Sequence, residues 1–217
     1  MKTNRTELVF ILDRSGSMSG LEADTIGGFN SMLAKQKQEA GEAVVTTVLF
    51  DDRYELLHDR IDIRSVAPIT DRQYFVRGST ALLDAIGRTI HKIVNVQRHT
   101  APEYRADKVL FVITTDGYEN ASREYGPEQI KTLVEREQKE FGWEFLFLGA
   151  NIDAIAAAKQ FGIGADRAVT FHADSEGTRL NYAVVSEAVS CLRACAAVPP
   201  DWKAPIEQDF RSRKSNR

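Results

Sequence analysis

Short runs of residues that are apolar at nearly every position recur along the chain, at 8–12, 44–50, 109–115, 145–148 and 168–171. Runs of this length without polar alternation predict strands covered on both faces, as in a mostly parallel sheet flanked by helices. A sixth run, 54–61, follows 44–50 across Asp51-Asp52-Arg53. So short a connection cannot hold a crossover helix, which predicts an antiparallel pair at a sheet edge.

Between the strands the apolar spacing changes to the helical period. Ile26, Phe29 and Leu33 form one stripe, preceded by Ser19 and Glu22 at capping-box spacing. Leu83, Ile86, Ile90 and Ile93 form a second stripe, running out at Gln97. Pro127 suits the first turn of a third helix carrying Ile130, Leu133 and Val134. A short fourth helix begins at Ile152 and ends near Gly162, and a last one carries Leu180, Val184, Ala188, Cys191 and Cys195 before Pro199-Pro200 stops it. The alternation predicts an α/β fold: a doubly wound, mostly parallel sheet of about six strands, one antiparallel edge strand, and helices on both faces.

A chain of 217 residues with 43% apolar composition can bury one good core. Residues 1–200 read as one domain. Beyond Asp201 the composition turns basic and apolar side chains thin out, so 201–217 reads as a solvated tail. A net charge of −3, with no basic block in the body, argues against nucleic acid as a partner. No apolar stretch reaches the roughly 20 residues that span a bilayer. The N-terminus runs into the first strand with no apolar signal segment, so a cytoplasmic location is expected. Cys191 and Cys195 stand one helical turn apart and read as reduced thiols on a buried helix face.

Candidate chemistry gathers at two strand ends and one helix start. Asp13-Arg14-Ser15-Gly16-Ser17 follows the first apolar run, placing a carboxylate and two hydroxyls at alternate positions around a glycine that permits a sharp turn. Gly78-Ser79-Thr80 precedes the second helix, and Thr114-Thr115-Asp116-Gly117 closes another strand. Oxygen-only donors suit a hard cation such as Mg²⁺ or Mn²⁺.

Together the three segments resemble the von Willebrand factor A (vWA) domain with its metal-ion-dependent adhesion site (MIDAS), over about residues 6 to 197. The family pattern is Asp-x-Ser-x-Ser, a threonine in a Gly-rich loop and an aspartate in a Thr-Asp-Gly turn. Carried over by position, the resemblance implies Asp13, Ser15, Ser17, Thr80 and Asp116 as metal ligands. It also implies a protein partner offering a Glu or Asp carboxylate to the metal. The small stand-alone bacterial A-domain proteins, including those grouped with tellurium-resistance systems, are the nearer likeness. Two aspartates would neutralise a divalent ion, leaving it electrophilic and partly hydrated. Arg14 is expected to point outward from the ligand cluster, toward solvent or an acidic ligand, and Arg77 to add positive charge to the same rim.

The function expected is therefore a non-enzymatic, metal-dependent interaction module. The alternative is a Mg²⁺-dependent phosphatase of the haloacid dehalogenase type with Asp13 as nucleophile. It is disfavoured because those enzymes usually place a second carboxylate two residues on, where this chain has Ser15. Gly162-Ile163-Gly164 lacks the third glycine of a dinucleotide loop, and the four histidines show no ligand spacing.

Overall fold

The computed structural model describes residues 5–195 and 197–214. Six strands form one sheet: β1 (Arg5–Asp13), β2 (Glu42–Phe50), β3 (Tyr54–Asp62), β4 (Lys108–Thr115), β5 (Glu144–Ala150) and β6 (Ala168–Phe171). Their order is β3-β2-β1-β4-β5-β6. Only β3 runs antiparallel, on β2, and the other pairings are parallel. This is the arrangement that the apolar runs predict, including the antiparallel edge strand.

Alternation within β1 shows how the sheet divides the core. Leu8, Phe10 and Leu12 face one apolar cluster, while Val9 and Ile11 face another. The first cluster includes Phe29, Met32 and Leu33 of α1 (Glu22–Gln36) and Val184, Val185 and Val189 of α5 (Ser175–Cys195). On the other face lie Ile86, Ile90 and Ile93 of α2 (Leu82–His99), Ile130 and Val134 of α3 (Pro127–Phe141), and Ala158 of α4 (Ala154–Gln160). Side chains of period two on the strands thus meet stripes of period 3.6 on the helices.

Two local expectations are corrected. The helix α1 starts at Glu22 with Leu21 at its N-cap, and Ser19 caps nothing there. Glu22 instead turns back to accept the Gly20 N–H at 2.7 Å, because Gly20, at φ +89, bends the chain between Ser19 and the helix. The two cysteines do not sit on a buried face: Cys191 is half-buried and Cys195 exposed. Leu192 and Val189 take the buried stripe instead.

The segment from Asp201, read as a solvated tail, carries a further helix, α6 (Ala204–Lys214), with residues 215–217 outside the described set. Trp202 and Ile206 are buried in the first cluster. The Trp202 indole donates to Asp166 O at 2.8 Å, and Lys203 Nζ donates to Ala168 O at 2.9 Å. Two well-placed apolar side chains suffice to dock a helix that is otherwise polar, and average composition does not register them.

Candidate metal centre

The chain lays down β1, β2 and β3 in one direction, then crosses back to place β4, β5 and β6 on the other side of β1. The strand order therefore reverses between β1 and β4, where loops at the carboxyl ends diverge and leave a crevice. The β1–β4 register pairs Leu12 with Thr114, so Asp13 ends its strand opposite Thr115.

At that point the oxygens of three loops meet. Asp13 Oδ1 accepts the Ser15 N–H at 2.7 Å, and Asp13 Oδ2 accepts the Thr115 hydroxyl at 2.6 Å. The Ser15 and Ser17 hydroxyls are 3.0 Å apart, and Thr80 Oγ1 donates to Ser15 Oγ at 3.0 Å. Ser17 Oγ donates to Asp116 Oδ1 at 2.5 Å. Asp13, Ser15, Thr80 and Asp116 are buried, while Ser17 is exposed and opens the cluster to solvent. The structure thus brings all five sequence-derived candidates into one hydrogen-bonded group.

Backbone contacts lock the loops to each other. Gly16 N–H donates to Gly78 O at 3.1 Å, and Arg77 N–H to Arg14 O at 2.9 Å, joining the first loop to the second. Gly78 has φ +65, a left-handed conformation that favours glycine, and a Cβ there would stand 2.1 Å from Asp52 Oδ1, so any other residue would be strained and would displace that carboxylate. Asn120 joins the second loop to the third: its Oδ1 accepts the Thr80 N–H at 2.9 Å, and its own N–H donates to Thr80 O at 3.0 Å. Asp84, in the first turn of α2, accepts the N–H groups of Arg123, Glu124 and Tyr125. The Thr80 and Asp116 loops are therefore one rigid unit.

Arg14 does not reach solvent. Its side chain is fully buried, with Nε 3.0 Å from Asp51 Oδ2 and Nη2 2.7 Å from Glu55 Oε2. Arg77 bonds the same Asp51 oxygen at 2.6 Å. Burial works against the Asp51 charge, but the Arg77, Arg53 N–H and Arg14 contacts overcome it and hold its carboxyl below the ordinary range. Arg14 turns away from the ligand cluster as expected, but it meets neither solvent nor an outside ligand, because Asp51, directly after β2, is a carboxylate that only the folded sheet sets beside β1. The cation is neutralised inside the protein, directed away from the ligand oxygens.

The oxygen cluster has the opposite imbalance. Burial pushes Asp13 up to about 6, against the Thr115 and Ser15 hydrogen bonds, and raises Asp116 as well. Asp116 Oδ2 is buried with no hydrogen-bond partner. Two crowded carboxylates, one with an orphaned oxygen, beside three hydroxyls make an electron-rich pocket suited to a cation. Hydroxyl and carboxylate oxygens match the donor preference of a hard divalent ion. Among the described residues no group of three or more His, Cys, Asp and Glu offers a different metal site.

Sequence reasoning missed Thr115, which orients Asp13, and Tyr74, whose hydroxyl donates to Asp13 O at 2.5 Å from full burial. The strand register would have found Thr115. Nothing in the local sequence marks Tyr74.

No protein-family profile matches the sequence, and no characterised protein does. Solved structures do match in fold. Proximal thread matrix protein 1 from the mussel byssus, in a form with zinc occupied MIDAS motif, aligns with a TM-score of 0.59 at 16% identity, over 86% of this chain and 46% of that one. A von Willebrand factor type A protein from Catenulispora acidiphila gives 0.58 at 14% identity, over 86% and 42%. Manganese-loaded TRAP protein of Plasmodium vivax gives 0.51 at 19% identity, over 69% and 58%. The chain spans less than two thirds of the length of each of these structures. Its fold is that of the vWA domain.

Proposed function

On a vWA fold whose switch point gathers these oxygens, we propose that Asp13, Ser15, Ser17, Thr80 and Asp116 hold a divalent cation, Mg²⁺ or Mn²⁺. Through that cation the chain binds an acidic side chain of a protein partner, and it carries out no reaction of its own. The observation that carries this reading is the buried Asp116 Oδ2 without a partner, beside Asp13 and three hydroxyls. Two carboxylates balance the charge of the ion, and the neutral hydroxyls leave it able to attract an outside anion. Exposed Ser17 supplies the opening through which that anion arrives. The mussel byssus protein with its zinc occupied MIDAS motif and the manganese-loaded TRAP protein support a metal on this fold.

The phosphatase alternative fits less well. Both oxygens of Asp13 are engaged, by the Ser15 N–H and the Thr115 hydroxyl, which blunts the carboxylate as a nucleophile. Ser15, where a second carboxylate belongs, is buried within the hydroxyl chain.

Mn²⁺ provides the test, because it is visible by paramagnetic resonance and by its effect on water relaxation. One saturable Mn²⁺ site is expected in the wild type and none in Asp13→Ala or Thr80→Ala, with circular dichroism unchanged. Adding a glutamate-containing peptide should lower water relaxivity as bound water is displaced. Unchanged Mn²⁺ affinity in both variants would refute the assignment.

A further inference from the structure

Beside the oxygen cluster the surface falls into an apolar cleft of about 280 Å³. Buried Leu82, Phe147, Ile152 and Phe161 line its depth, and Tyr118 and Ala156 stand on its exposed rim. Gly117 belongs to both features. It lines the cleft, and a Cβ built on it would lie 3.3 Å from Ser17 Oγ and 3.7 Å from Thr80 Oγ1. Gly117 itself places no side chain between the cleft and these oxygens.

The walls define what the cleft accepts. Its two carboxylates are turned to local donors: Glu119 accepts from Leu83, Ala121 and Ser122, and Asp153 Oδ1 caps α4 by accepting the Ala156 N–H. What remains facing the space is mainly hydrocarbon, which favours an uncharged apolar group. The volume falls just short of the roughly 300–1,000 Å³ of typical small-molecule pockets, so it suits a side chain or two rather than a cofactor. Large apolar groups also stay exposed on this edge of the sheet. Tyr118 is 63% exposed, Ile155 at the start of α4 is 41% exposed, and Phe75, on the segment leading to Thr80, is 42% exposed. Apolar surface retained around a polar centre marks an interaction face.

We propose that this cleft is the second half of the recognition surface, taking an apolar side chain one or two residues away from the partner's metal-bound carboxylate. The proposal rests on the metal reading above. An extended peptide advances about 3.3–3.6 Å per residue, so a neighbour of the acidic residue can cross Gly117 while the carboxylate stays at the cation. The occupant is thus an acidic residue flanked by Leu, Ile or Phe on an extended segment of a partner protein.

The probes are capped pentapeptides with a central Glu, flanked by glycines or by a leucine at one of the two positions on either side. They are titrated in Mg²⁺ and in EDTA and followed by NMR shifts of the protein. At its best position, leucine should tighten Mg²⁺-dependent binding about tenfold over the all-glycine peptide. Ala156→Trp and, separately, Gln160→Phe, both at exposed cleft positions, should fill the space and erase that advantage while Mn²⁺ affinity stays at the wild-type value. Equal binding of leucine and glycine peptides, or an advantage that survives both filled clefts, overturns the cleft assignment with the metal site intact. Failure of the wild type to bind Mn²⁺ overturns the metal reading and this proposal with it.

Discussion

Replacing Asp13 by asparagine separates a metal ligand from a structural carboxylate, because the two roles predict stability changes of opposite sign. The asparagine can keep the local hydrogen bonds: its carbonyl accepts the Ser15 N–H, and its amide donates to Thr115 Oγ1, whose proton turns to Gly117 O at 3.1 Å. What disappears is a buried negative charge. Burial raises the Asp13 carboxyl from 3.8 to about 6, so the folded, metal-free protein holds a proton there more tightly than the unfolded chain does. Above pH 6 that difference destabilises the fold by about 3 kcal/mol. Stability of the metal-free wild type should therefore rise as pH falls from about 6 toward 4. In the Asp13→Asn variant this contribution should be absent.

At pH 7.5 in EDTA, Asp13→Asn is expected to melt above the wild type, by about 6–12 °C at roughly 2–4 °C per kcal/mol for a chain of this size. Saturating Mg²⁺ should then close most of that gap from the wild-type side. At a hundredfold excess over its dissociation constant it adds about 2.7 kcal/mol to the wild type and nothing to the variant. Near the dissociation constant the gain is only about 0.4 kcal/mol, so the titration must reach saturation. Differential scanning fluorimetry across pH, with and without Mg²⁺, reads all of these outcomes. A variant that melts below the wild type in EDTA, or that still gains from Mg²⁺, would refute the reasoning.

Other consequences are open to direct measurement. Arg14→Ala empties a fully buried position and leaves Asp51 with Arg77 as its remaining cation, and should cost about 2–4 kcal/mol in urea unfolding, far beyond the effect of losing a surface arginine. Gly78→Ala forces a side chain into a left-handed turn against Asp52, which should cost about 1–3 kcal/mol and weaken Mn²⁺ binding by displacing Thr80. Trp202→Ala should lose about 3 kcal/mol, and ending the chain at residue 200 should lower the melting temperature clearly, whereas a solvated tail would be dispensable. Asn120→Ala leaves the Thr80 N–H without its side-chain acceptor and should weaken Mn²⁺ binding several-fold with a smaller change in stability, about 1 kcal/mol.

The strands and most helices were legible because both are written in local periodicity. Uninterrupted apolar runs such as residues 109–115 can only be satisfied with cover on both faces, and β4 occupies that place in the sheet. Asp13, Ser15, Ser17 and Asp116 were legible as residue types at the ends of those runs, and Thr80 as a hydroxyl before a helix, since loops at this edge are where a doubly wound sheet gathers polar groups. No helix among the described residues is long and apolar enough to cross a membrane.

What the local sequence does not encode is which distant residue stands opposite. Arg14 reads as surface until the β1–β2 register sets it beside Asp51, and Thr115 acquires its role only because β1 and β4 lie in register. The same holds for Trp202 and Ile206, whose burial depends on the surface that β6 and α5 offer them. Hydrophobic period is a property of neighbours in the chain, so sequence determines elements and rim chemistry. Partners of a charge, and the burial that shifts its proton affinity, are properties of neighbours in space, and tertiary packing alone decides them.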